Sequence, residues 1–574
     1  MDTQATNHKL IIYQVFTRLF GNTRNECKVN GTIEENGCGK FADFTLPALR
    51  SIKKLGATHI WYTGIIAHSS RTDYSAYGIP VNHPAIVKGN AGSPYAIRDY
   101  YDVDPDLATN VDKRMDEFQA LIERSHQTEL GVIIDFVPNH VSRQYHSIKK
   151  PIQISDLGEK DDKTKAFDPQ NNFYYIPQVP LQGRFDMQAG APQPYSEIPA
   201  KATGNDRFDP FPEVNDWYET VKLNYGRDYC GNQTCFDPIP DTWKKMTHIL
   251  LFWAEKGIDA FRCDMAEMVP VEFWHYAIAQ VKKKYPNLIF IAEIYNPAAY
   301  RSYIDFGGFD YLYDKVGMYD TLRAVTCGYA SARAITGCWQ STDGLQSHLL
   351  NFLENHDEQR IASDYFAGDA RKAFPALLVS ALLNISPFMI YFGQELAERG
   401  MDAEGFSGKD GRTTIFDYWS LPVMARWKGQ GRYNEQFLSE EEASIRQYYC
   451  KILNLCLRES AISRGTFYDL MYVNPDSPTF DGNHVFTWLR KYEDTLLLIA
   501  VNFADDAKDV EIRIPEHAFQ FLQLSPTSGK RKIHDLLSDD SFSLPLIPDT
   551  PLPISLPARG GRVLKFSVRK SSKG

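Results

Sequence analysis

Eight short apolar runs recur along this chain, and they constrain its fold more than any other feature. They are Leu10 to Phe16, His59 to Tyr62, Val132 to Val137, Ile258 to Cys263, Leu288 to Ile294, Phe309 to Tyr313, Leu349 to Leu353 and Phe388 to Phe392. Between them lie amphipathic stretches such as Leu46 to Gly56, apolar at helical spacing and closed by a glycine stop. Strand followed by helix, repeated eight times, predicts an α/β fold: a (β/α)8 barrel. A doubly wound open sheet is the alternative, but no glycine-rich phosphate-binding turn follows the first run.

The spacing breaks once. Residues 141–240, after the third run, are rich in Pro, Asp, Asn and aromatics, as in Phe208 to Pro212 and Trp217-Tyr218. A connection that long is functional or a small inserted domain. It leaves the carboxyl end of a strand, so it should hang over the face where barrels carry chemistry. Beyond a last helix, Ala443 to Glu459, the pattern turns to period-two strands such as His484 to Arg490, Thr495 to Phe503 and Val510 to Ile514. The expected division is a barrel over 1–140 and 241–461, an inserted domain over 141–240, and a C-terminal β-sandwich over 462–574. The tail Arg569 to Gly574 is expected to fray.

Three runs end in acids. Asp264 closes Gly257 to Asp264, Glu293 closes Leu288 to Glu293, and Asp357 closes Phe352 to Asp357. An acid is costly to leave unpaired in a core, whereas at the carboxyl end of a barrel strand it is presented for chemistry. Net charge is −10, with no Lys/Arg block, which disfavours a nucleic-acid partner. Aromatics reach 13%, in keeping with either a large core or a sugar-stacking surface. No apolar stretch reaches the roughly 20 residues of a membrane span. The first residues, Met1 to His8, carry no basic-then-apolar leader, leaving a cytoplasmic protein or one exported with its signal removed.

These motifs resemble those of the alpha-amylase family, glycoside hydrolase family 13. Asp135 to His140 resembles the first signature of that family, Gly257 to Asp264 the second, Ile291 to Glu293 the third and Phe352 to Asp357 the fourth. Pro94 to Tyr101 resembles the segment with an active-site tyrosine. The motifs run in family order across the whole barrel, and the insert lies where the family keeps its domain B.

The resemblance implies a retaining hydrolase of α-glucosidic bonds in starch, glycogen or malto-oligosaccharides. Asp264 is then the nucleophile, Glu293 the acid/base and Asp357 the third acid. Retaining enzymes hold the first two roughly 5–5.5 Å apart. Arg262, two residues before Asp264 on the same strand face, should keep Asp264 ionised. The negative charges facing Glu293 favour its neutral form. Tyr95 would stack on the sugar, or sit in the core; His140 and His356 would bond its hydroxyls. Asp135 reads as a structural acid that orients an arginine, Glu267 and Glu354 as supporting residues.

The chemistry implied needs no cofactor. A structural Ca²⁺ at Asn139 is the one ion the family pattern brings in, against a plain loop-capping role for that residue. Met265 to Met268 stands where many alpha-amylases carry Lys-His, and Pro238 to Trp243 matches neither linkage signature typical of oligo-1,6-glucosidases or neopullulanases. Linkage, endo or exo action and oligomeric state therefore stay open. So does transfer to a sugar, or disaccharide isomerisation, in place of hydrolysis. A non-catalytic relative is disfavoured, because all three acids are present. The 9 cysteines form no CxxC pair; Cys27 with Cys38, and Cys230 with Cys235, could each close a loop in an oxidising compartment, and Cys263 reads as an inert core thiol.

Overall fold

A computed structural model describes residues 9–568. The tail expected to fray lies outside them. Eight parallel strands close a barrel. They are β1 (Ile11–Phe16), β2 (His59–Thr63), β3 (Gly131–Phe136), β4 (Ala260–Cys263), β5 (Ile289–Ala292), β6 (Tyr311–Tyr313), β7 (Leu349–Phe352) and β8 (Phe388–Tyr391). Every apolar run read as a barrel strand is one. β6 is shorter than its run, because the Asp310 carboxylate accepts from Phe290 N at 2.8 Å and stands in for a ladder partner.

Strand periodicity sets what faces inward. Ile12, Trp61, Ile133, Ala260, Ile291, Leu350 and Met389 form one buried cluster inside the barrel. Two residues further along, the inward positions turn polar: Gln14, Thr63, Asp135 and Arg262 are all buried. The next step brings Asp264 and Glu293 to the rim. Neighbouring registers place them side by side, since Arg262 pairs with Ile291 and Cys263 with Ala292.

The helices follow local chemistry. Leu46–Leu55 begins at Thr45, whose hydroxyl accepts from Ala48 N, and ends at Gly56, with φ of 117°. The last barrel helix runs Glu440–Arg458, earlier than its apolar pattern, because Ser439 and Glu442 form a reciprocal capping box.

Between β3 and β4 the chain forms short two-stranded ribbons. One pairs His140–Ser142 with Thr220–Lys222 and fastens this stretch beside the β3 terminus. The loop after β2 packs on it through Ala85, Ile86, Leu181, Tyr195 and Ala200. After the barrel come a six-stranded antiparallel sheet and a separate two-stranded ribbon.

All nine cysteines are free thiols, so both loop pairs read as candidate disulfides are open. Cys27 Sγ lies 3.3 Å from Ser420 Oγ instead. Burial pushes the Cys263 thiol well above its ordinary range, as suits an inert core residue. Among the described residues no helix is long and apolar enough to cross a membrane.

Candidate active site

A cavity of about 210 Å³ opens at the carboxyl ends of the barrel strands. Asp264, Glu293, Asp357, Tyr95 and His140 all line it. The three acids, read from separate strand ends, thus meet in one place. Arg262 and His356 sit beneath, with relative exposures of 1% and 3%.

Arg262 organises the floor. Its Nη1 donates to Asp264 Oδ1 at 2.7 Å and to Asp135 Oδ1 at 3.3 Å. Its Nη2 lies 2.7 Å from Glu293 Oε2. Nε donates to Tyr313 OH at 3.2 Å. The guanidinium also lies 5.3 Å from the Trp61 ring centroid and 5.5 Å from that of Tyr95. Asp135 takes Trp61 Nε1 at 2.9 Å and so braces the arginine, the structural part read for it.

One cation serving three acids changes the proton balance expected from sequence. Burial drives Asp264 well above the ordinary carboxylate range, and Arg262 only partly offsets this while Glu293 and Asp135 add to it. Asp135 is pushed up to about 6 by burial against the pull of Arg262. Asp357 is pushed up to about 7 by desolvation and Glu293, although two-fifths of its side chain stays exposed. Arg262, expected to keep Asp264 ionised, does pull that carboxyl down, but burial outweighs the pull and the guanidinium is divided among three acids.

Glu293 is tightly held. Oε2 accepts Met265 N at 2.8 Å, and Oε1 accepts Tyr295 OH at 2.5 Å. Met265 adopts the left-handed region, with φ of 41°, and that turn aims its N–H at the carboxylate. Glu267 supports the same wall by accepting Tyr295 N and Asn296 N, each at 3.1 Å.

His356 is oriented from both sides. Gln14 Nε2 donates to Nδ1 at 2.8 Å, which leaves the ring proton on Nε2. Nε2 faces Tyr95 OH at 2.5 Å and Asp357 Oδ2 at 3.1 Å. Burial and Arg262 hold this imidazole far below its ordinary range, so it is neutral. His140 is lowered to about 3 by burial with Lys222 and Lys88 nearby, and its ring lies 5.2 Å from Trp217. Glu354 lies outside the cavity lining and accepts Arg360 Nη1 at 2.9 Å, a supporting role.

The surroundings of Asn139 fit the loop-capping role rather than the Ca²⁺ weighed against it. Its Oδ1 already accepts Lys222 Nζ at 2.6 Å, and that buried ammonium also lies 2.5 Å from Asp206 Oδ1. Its Nδ2 donates to Gly204 O at 2.8 Å. A divalent ion would face a fixed like charge at the oxygen it needs. No trio of His, Cys, Asp or Glu suited to a metal occurs among the described residues.

Sequence reasoning missed several groups in the cavity wall: Lys88, Glu219, Tyr295 and Phe416. None belongs to a strand-end acid motif. Trp217 of the inserted stretch lines the cavity, whereas Trp243 packs near Phe236 and Phe273.

Comparison with known proteins identifies the family. The family model for the alpha amylase catalytic domain matches residues 14–415, most of the chain. The chain belongs to the alpha-amylase family. Alpha-amylase 3 of Dictyoglomus thermophilum is 23% identical over 480 residues, covering 79% of this chain and 78% of that protein. A shorter match, 37% identical over 162 residues, is to an alpha-1,4-glucan:maltose-1-phosphate maltosyltransferase of Cereibacter sphaeroides, and covers 28% of this chain and 25% of that one. Among solved structures, the maltogenic alpha-amylase AmyB of Thermotoga neapolitana superposes with a TM-score of 0.63 at 19% identity, covering 98% of this chain and 99% of that chain. As a member of the alpha-amylase family, the protein is an enzyme.

Proposed function

We propose that the protein is a retaining glycoside hydrolase of α-glucosidic bonds in starch, glycogen or malto-oligosaccharides. The observation that carries this reading is one guanidinium shared by two carboxyls: Arg262 reaches Asp264 and Glu293 at 2.7 Å each, at the rim of one cavity. Two acids held that way flank a single bond. In the first step the Asp264 carboxylate attacks the anomeric carbon while Glu293 gives its proton to the departing glycosidic oxygen. In the second, Glu293 takes a proton from water, whose oxygen displaces Asp264 from the sugar. Retention follows from the two displacements. Asp357 grips ring hydroxyls and meets the positive charge of the transition state. Tyr95 stacks on the sugar, and neutral His140 and His356 bond its hydroxyls. No step uses a cofactor. The barrel carries these groups, with 141–240 as the inserted domain and 462–574 as the C-terminal one.

A second reading keeps the same residues and transfers the sugar to another sugar, or isomerises a disaccharide. Its acceptor would enter the cavity that Trp217 and Phe416 line, where aromatic faces can hold a sugar. The maltosyltransferase match points the same way. Products from amylose, pullulan and maltotriose, followed by NMR at the anomeric carbon, separate the readings. Hydrolysis with retention gives the α-anomer first and shorter oligomers. Initial β-anomer refutes retention, and longer oligomers or trehalose replace hydrolysis with transfer.

A further inference from the structure

One charged pair in the cavity wall has no part in the chemistry above. Lys88 lies on the loop after β2, and Glu219 precedes the strand Thr220–Lys222. Their side chains are 11% and 5% exposed, with Lys88 Nζ 3.1 Å from Glu219 Oε2. Both border the cavity. Among the described residues, Glu219 Oε2 is a buried oxygen with no well-aligned donor, so the contact is an ion pair that leaves hydrogen-bonding capacity unused. Glu219 is anchored by its backbone, whose carbonyl accepts Arg143 N at 3.0 Å. The Lys88 ammonium is steadied 5.4 Å from the Tyr218 ring centroid.

A buried carboxylate oxygen left under-bonded at a substrate cavity, beside a mostly buried ammonium, is costly unless a ligand completes it. Sugar hydroxyls both donate and accept, so one hydroxyl can accept from Lys88 while a neighbour donates to Glu219. The pair also closes a wall. It joins a barrel loop to the inserted stretch, on elements other than the Met265 and Tyr295 wall that holds Glu293. A glucan chain continuing through it would have to break the pair, whereas a chain end abuts it.

We infer that Lys88 and Glu219 form a specificity site that binds the free hydroxyls of the non-reducing terminal sugar and makes the enzyme act from chain ends. This rests on the α-glucan reading and narrows its substrate. A site built to bond hydroxyls rejects a substrate lacking them much more strongly than one built on apolar contact.

The test is a binding measurement, independent of turnover. Calorimetry on the Glu293→Gln protein compares maltotetraose with the same sugar capped by a 4,6-O-ethylidene group at its non-reducing end. The free-ended sugar should bind at least about tenfold more tightly. Lys88→Met and Glu219→Gln should each weaken the free-ended sugar about tenfold and leave the capped one unchanged, so that discrimination vanishes. The double variant Lys88→Met/Glu219→Met, an apolar pair of similar bulk, guards against misfolding and should melt near the parent temperature while also losing discrimination. Equal binding of capped and free sugars by the parent, no binding of either, or discrimination that survives in the folded double variant would overturn the inference. Failure of the hydrolase reading would be seen separately, as absent turnover by the unmodified enzyme despite intact binding.

Discussion

Replacing Arg262 with lysine tests the electrostatic frame of the site. The guanidinium makes two contacts of 2.7 Å, to Asp264 and Glu293, and a third of 3.3 Å to Asp135. A lysine keeps the charge but offers a single nitrogen, so it can occupy one of the two short contacts and must release the other. The Asp264 contact is a hydrogen bond and the Glu293 contact an ion pair, and a hydrogen bond to a charged group contributes about 1.5–3 kcal/mol. Losing one at the transition state lowers kcat/KM by about 10- to 150-fold. The pH profile moves as well. Arg262 pulls the Asp264 carboxyl down, against burial that drives it up. With that pull weakened, Asp264 protonates at higher pH, and the acid limb of kcat/KM shifts upward, because the nucleophile must be ionised. The assay is initial-rate hydrolysis of maltotetraose from acid to alkaline pH, with circular dichroism to establish folding. A folded Arg262→Lys protein with kcat/KM within twofold of the parent and an unmoved acid limb would refute the claim that a shared guanidinium sets the site.

Asp135→Asn should move the same limb the other way: removing its charge lowers the Asp264 carboxyl and frees Arg262, so activity persists to lower pH, as rate–pH profiles would record. Glu293→Gln should slow the first, bond-breaking step about 10²- to 10⁴-fold on maltotetraose and far less on an α-glucosyl fluoride, read as the initial burst of fluoride release, because that leaving group needs no proton, while Asp264→Asn should fail on both. Equal losses on the two substrates would remove Glu293 from the acid role. Glu404 is pushed up to about 9 from an ordinary 4.5 by burial and the acids Asp402, Glu398 and Asp417. Its contribution to stability is thus full below the ordinary value and is lost as pH rises toward the folded one. Glu404→Gln should melt higher than the parent at pH 8.5 and lose that advantage at pH 5, by differential scanning calorimetry.

The barrel was legible because its signal is local. Each strand carries its own apolar run, and the period of two that buries Ile133 and Ala260 also carries Asp135 and Arg262 inward and Asp264 to the rim. The loops were not legible, because distant partners place them. Lys88 meets Glu219 from a different loop. Asn139 could be read as a loop cap or a metal position until Lys222, 83 residues away, puts an ammonium on its oxygen. Tyr295 lies only two residues past Glu293, yet its role depends on a turn that sends its hydroxyl back to that carboxylate. The division of Arg262 among three acids was hidden for the same reason. Sequence places Arg262 beside Asp264, and only the closed barrel brings Glu293 and Asp135 to the same guanidinium.

The most direct test of the central claim is to catch the sugar on the enzyme. Glu293→Gln protein treated with an α-glucosyl fluoride should accumulate a covalent glycosyl adduct, since the fluoride departs unaided and the second step lacks its base. Peptide mapping by mass spectrometry should find that sugar on Asp264. An adduct on Asp357 or Asp135, or steady turnover with no adduct and release of the β-anomer, would contradict a double displacement through Asp264.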